Sequence, residues 1–149
     1  MKILHCGIGL LALSLAPAAY ADLDLSKLNV ETVTLEMGTK GGRMYFAPDN
    51  LVFHTGQAYK LVLKNVDQIK HELDAGEFRN KIFTRKVEVI GPDGNMIAEI
   101  KGSIHEIELA PGGEAEWFFV PVQTGTDMEM ECALAGHKEA GMHGLITIK

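Results

Sequence analysis

The chain reads as an all-β protein, two sheets packed as a sandwich. Three observations predict it. Apolar and polar residues alternate with period two in many short runs. Gly, Pro, Asn and Asp bound those runs at close, regular spacing. Only one stretch breaks the pattern.

In chain order, Val30 to Leu35 alternates, with Val30, Val33 and Leu35 set among threonines and glutamates. Gly38 to Gly42 supplies a turn, Arg43 to Phe46 a second strand, and Pro48-Asp49-Asn50 an interruption before Leu51-Val52-Phe53. After Gly56, Tyr59 to Val66 alternates cleanly. Asp74 to Lys86 differs: Ala75, Phe78, Ile82 and Phe83 predict a short helix or an irregular crossover. Val87 to Ile90 and Met96 to Ile100, joined by Pro92-Asp93-Gly94-Asn95, form a hairpin pattern. Ser103 to Leu109 alternates, and Pro111-Gly112-Gly113 turns the chain. Ala115 to Val122 is a strongly apolar strand holding the single tryptophan, Trp117. Thr126 to Cys132 places Met128, Met130 and Cys132 on one face, and Leu145 to Ile148 is the last strand. About eight strands with one short crossover result.

The composition fits one globular domain: 149 residues, 46% hydrophobic and 23% charged. Residues 1–21 read as a signal peptide. Lys2 is a minimal basic start, Gly7 to Ala16 an apolar stretch, and Ala19-Tyr20-Ala21 a cleavage site. The domain would then be residues 22–149, exported to a bacterial periplasm. The apolar stretch is too short to span a bilayer, and no apolar run longer than this occurs in the sequence. Cys6 would leave with the signal, so Cys132 becomes the sole thiol. A lone exported thiol is buried and inert, paired between chains, or bound to metal. Loss of residues 1–21 also removes Lys2 and no acid, leaving 13 basic against 20 acidic residues, or −7. There is no basic stripe interleaved with aromatics, which argues against nucleic-acid binding.

The chemistry concentrates in Cys132-Ala-Leu-Ala-Gly-His137-Lys-Glu-Ala-Gly-Met142, which sets a thiol, an imidazole and a thioether at five-residue steps. The loop is too rich in small residues to be core. With the distant His71, these donors form the soft set that suits copper in both of its common oxidation states. Taken singly, each has a plainer reading: Cys132 as a buried core thiol, His71 as a surface or hydrogen-bonded histidine. Zinc is the alternative metal, disfavoured by the thioether and the lack of further cysteines.

The motif residues resemble the cupredoxins, the single-domain type 1 blue copper proteins such as plastocyanin, auracyanin and rusticyanin. The matching segments are Asn65-Val-Asp-Gln-Ile-Lys-His71, then Cys132-x4-His137-x4-Met142, then Gly144-Leu-Ile-Thr-Ile-Lys149. Phe46-Ala-Pro48, Tyr59-Lys-Leu-Val-Leu63, Ala110-Pro-Gly-Gly-Glu114 and Trp117-Phe-Phe119 match as well. The resemblance covers residues 28–149. It implies a cupredoxin-like Greek-key sandwich and one copper ion cycling between Cu(I) and Cu(II). His71, Cys132, His137 and Met142 would be the ligands, with Met142 axial and His137 at the solvent edge. It implies an electron carrier, not an enzyme, most simply a monomer, with a cytochrome or copper protein as redox partner. Ala133, Leu134, Ala135, Ala140 and Gly141 would form its docking patch. The alternative on the same site is a copper-handling protein that exchanges the metal with a donor or acceptor.

Two features depart from the family. Glu72 follows His71 where the family often has Asn or Ser. Its carboxylate is expected to tune the metal, either ionised beside it or protonated and donating a hydrogen bond. The stretch Glu77 to Lys101 is longer than a minimal cupredoxin needs and carries Arg79, Lys81, Arg85 and Lys86; a partner or shielding element and a solvated crossover both account for it. His143 directly follows Met142 and is a second candidate tuning residue. His54 and His105 read as surface histidines, Met37 and Met44 as packing residues.

Overall fold

A computed structural model describes residues 29–149. The signal peptide assigned to residues 1–21 lies outside them. The described chain forms eleven strands: β1 Val30–Lys40, β2 Arg43–Ala47, β3 Asn50–Phe53, β4 Ala58–Asn65, β5 His71–Asp74, β6 Ile82–Ile90, β7 Met96–Ile100, β8 Glu106–Leu109, β9 Glu114–Pro121, β10 Gly125–Glu131 and β11 His143–Ile148. One 3-10 turn covers Phe78–Lys81. Among the described residues no helix is long and apolar enough to cross a membrane.

The strands form two sheets, a six-stranded one in the order β2-β1-β4-β9-β6-β7 and a five-stranded one in the order β3-β11-β10-β5-β8. β1 and β4 run parallel, as do β3 and β11. The other pairings are antiparallel. Period-two alternation decides which side chains enter the space between the sheets. Leu35 and Met37 enter from β1, Leu51 and Phe53 from β3, Met128 and Met130 from β10, and Ile146 and Ile148 from β11. β4 lies between β1 and β9 within its sheet, and most of its residues are buried. An aromatic cluster fills the centre. Phe53 meets Tyr59 edge-on at 4.8 Å between ring centres, and Phe119 meets Phe53 at 5.2 Å and Phe78 at 5.3 Å. Each such ring contributes roughly 1.5–3 kcal/mol by burial. Trp117 joins the cluster and satisfies its indole N–H on Thr84 Oγ1 at 3.1 Å.

Several expectations shift, the strand count among them: eleven strands stand where about eight were expected. The crossover predicted for Asp74 to Lys86 is only the turn Phe78–Lys81; from Ile82 onward the chain is already strand. The cause is tertiary: Ile82 to Ile90 pairs along β9, which outweighs the helical spacing of the few apolar residues nearby. The short strand β5 was not foreseen as an element. The Glu77 to Lys101 stretch proves to be mostly the β6–β7 hairpin at the edge of the six-stranded sheet. All five residues of β7 are exposed, Ile97 at 67%.

Candidate metal centre

The first donor is set by the loop that leaves β4. Asn65 is 2% exposed, and its amide nitrogen donates to the carbonyls of Ile69 (2.8 Å), Leu109 and Ala110 (3.0 Å each). Its Oδ1 accepts from the Asp67 N–H at 2.9 Å, and its backbone N–H donates to Gly113 O at 3.0 Å. A buried amide with every polar atom engaged leaves the loop one conformation. The loop delivers His71 as the first residue of β5, paired with Leu109 of β8. Alternation turns His71 and Leu73 into the sandwich, and His71 is fully buried.

The other donors come from the loop joining β10 to β11. Its ends are tied by the Cys132 N–H on Met142 O at 3.1 Å. Within it His137 N–H donates to Leu134 O, Ala140 N–H to Gly136 O and Met142 N–H to His137 O, each at 3.0 Å. Met44 N–H donates to Ala140 O at 3.0 Å, clamping the loop to β2. Gly141 has φ +109°, and a Cβ there would sit 3.0 Å from Met44 O. A side chain would therefore be both strained and crowded, which accounts for glycine at this position.

The two loops bring His71, Cys132 and His137 together. One donor atom from each lies within 4.8 Å of the others. His71 Nδ1 is 3.3 Å from His137 Nδ1, and Cys132 Sγ is also 3.3 Å from His137 Nδ1. Cys132 is fully buried. Burial pushes its thiol pKa up, against the lowering effect of the Leu134 and Glu72 N–H groups; the Glu72 N–H reaches Sγ at 3.3 Å. Burial also pushes the His137 imidazole pKa down, helped by His71. Met142 is fully buried at the end of the same loop. Two imidazole nitrogens and a thiol converging out of water fit copper by donor type. Proton release from the thiol would accompany binding.

Sequence reasoning missed one neighbour of this cluster. Asp67 Oδ2 lies 3.1 Å from His71 Nε2, on the side of the ring away from the other donors. An acid four residues before a histidine is too common a spacing to have marked it.

Glu72 meets the site through its backbone: its N–H reaches the sulfur. Its carboxylate Oε1 is buried with no hydrogen-bond partner among the described residues. Burial first, then the charge of Glu106, pushes its pKa up. His143 is exposed on β11 and stands outside the three-residue cluster. Of the expected docking residues, Ala133 and Ala135 are exposed, Ala140 and Gly141 half-buried, and Leu134 packs partly against the core. His54 and His105 are exposed.

No protein-family model matches the chain, and no curated protein does. Solved structures do. A Cu-containing nitrite reductase from Thermus scotoductus superposes with a TM-score of 0.60 at 12% identity, over 79% of this chain and 30% of that one. A multicopper oxidase from Campylobacter jejuni, described as a metallo-oxidase, gives 0.56 at 14% identity, over 83% and 30%. Auracyanin from Roseiflexus castenholzii aligns over 78% of this chain and 96% of its own at 20% identity, with a TM-score of 0.47, too low to rest a relationship on. The chain thus spans under a third of the two enzymes it superposes on. The likeness establishes the architecture, a cupredoxin-like β-sandwich.

Proposed function

We propose that this chain is an exported, periplasmic type 1 copper protein that binds one ion through His71, Cys132, His137 and Met142 and carries single electrons. The observation that supports the reading best is the convergence of two imidazole Nδ1 atoms and the only cysteine among the described residues within 4.8 Å. Copper, when bound, supplies a one-electron Cu(II)/Cu(I) couple.

The residues of the chain do the rest. His71, Cys132 and Met142, all fully buried, keep water from the site. The Glu72 N–H on the sulfur restrains the thiolate and tempers its donation. The hydrogen-bonded loops hold the donors in one arrangement, which keeps rearrangement small when the charge of the site changes. His137, the one partly exposed donor, is the route to the surface. The small residues Ala133, Ala135, Ala140 and Gly141, with Leu134, would let a redox protein approach its ring edge.

Rapid-mixing kinetics test the function. The reduced copper-loaded protein should pass its electron to an oxidised cytochrome or copper protein in milliseconds and keep its metal against a moderate chelator. Slow electron exchange with ready surrender of copper to an acceptor would instead mark a copper-handling protein.

A further inference from the structure

We propose that Asp67 is a positioning residue for the metal centre: its carboxylate fixes the tautomer of His71, and its negative charge favours the oxidised state of a bound copper. The first half stands on geometry alone; the second rests on the copper reading above.

Asp67 is itself anchored from three directions. Thr39 Oγ1, on β1 of the opposite sheet, donates to its Oδ2 at 2.5 Å. The Gln68 N–H donates to its Oδ1 at 2.7 Å. Its own N–H is held by Asn65 Oδ1. Both of its oxygens thus already accept from donors that cannot take a proton from it, the arrangement of an ionised carboxylate. An ionised carboxylate only accepts hydrogen bonds. The 3.1 Å contact to His71 Nε2 therefore needs the proton on Nε2. A neutral imidazole carries one such proton, so the Nδ1 lone pair is left bare. That is the atom facing His137 and, with it, the sulfur of Cys132. A carboxylate behind a ligating histidine also makes the ring a stronger donor. Added negative charge stabilises Cu(II) more than Cu(I), which lowers the reduction potential.

Two readouts test this, and they fail separately. In the metal-free full-length protein, a long-range proton–nitrogen NMR correlation reports which ring nitrogen of His71 carries hydrogen. The wild type should show the Nε2–H form alone, and Asp67→Ala a mixture. An Nδ1–H form in the wild type, or no change in the variant, overturns the positioning role.

In the copper-loaded protein, Asp67→Asn keeps the shape and an acceptor but removes the charge. Cu(II) affinity should fall by about ten- to a hundredfold, Cu(I) affinity by less, and the potential should rise by about 59 mV for each tenfold difference between the two. Thr39→Val should shift the potential the same way by less. Equal loss of both oxidation states would leave only a structural role and overturn the tuning. If the wild type shows no copper–thiolate absorption, the copper reading and the tuning fall together, while the NMR result still decides the tautomer.

Discussion

The two donor loops solve the same problem by different means. The loop from Cys132 to Met142 is held by backbone bonds, most of them its own: its ends bond to each other, β2 adds one clamp at Ala140 O, and glycines allow its turns. The loop from Asn65 to His71 is held by side chains: Asn65 gathers three carbonyls, and Asp67 links Thr39 to His71. The first is a local device that carries three candidate donors at once. The second is non-local and joins both sheets around one donor. A substitution in the first should therefore act directly on the thiol, His137 and Met142, and one in the second directly on His71, each reaching the other only through the 3.3 Å His71–His137 contact.

The largest effect is expected at Asn65. Asn65→Ala removes the hydrogen bonds to Ile69 O, Leu109 O and Ala110 O, of which the Leu109 contact is buried, and should destabilise the fold by about 3 kcal/mol. Chemical denaturation with a linear fit measures it. In metal-free NMR spectra the His71 ring should become mobile and shift the His137 ring it touches, while the resonances of residues 138–141 stay near their positions. Equal disturbance of both loops would dissolve the distinction between them.

Gly141→Ala probes the other loop. Alanine at φ +109°, beside Met44 O, should cost about 1–2 kcal/mol. The shifts should gather at Cys132, His137 and Met142 and reach His71 only through the His137 ring. The smallest effect is expected at Lys138, which pairs with Glu129 at 2.8 Å and with Glu131 on the protein surface. Lys138→Ala should leave the thermal midpoint unchanged within error, because exposed ion pairs contribute little. A clear loss there would mean that side-chain charge, not backbone bonding, holds the loop from Cys132 to Met142.

The same contrast explains what the sequence revealed. Cys132, His137 and Met142 are legible because five-residue spacing and small intervening residues are visible along the chain. His71 was found only by matching it to that loop. Asp67 and Thr39 were not found, since 28 positions separate them and nothing local joins them. For Glu72 the sequence pointed to the carboxylate, whereas the direct contact to the sulfur is its backbone N–H, which no residue type announces. The sandwich was readable from period-two runs, but β5 was not, because four residues are too few for a pattern to declare itself. The pairing of His71 to Asp74 with β8 makes it a strand. The stretch from Ile82 to Lys86 shows the reverse case, where pairing with β9 overrides a weak helical spacing.

The optical and EPR spectra of the copper(II)-loaded protein, recorded beside those of Cys132→Ser, decide whether the thiol binds the metal. The wild type should show an intense visible sulfur-to-copper band and a narrow copper hyperfine splitting, both abolished in the variant. A weak visible spectrum with wide hyperfine splitting, unchanged by Cys132→Ser, would show that the thiol does not bind the metal and would contradict the type 1 copper reading.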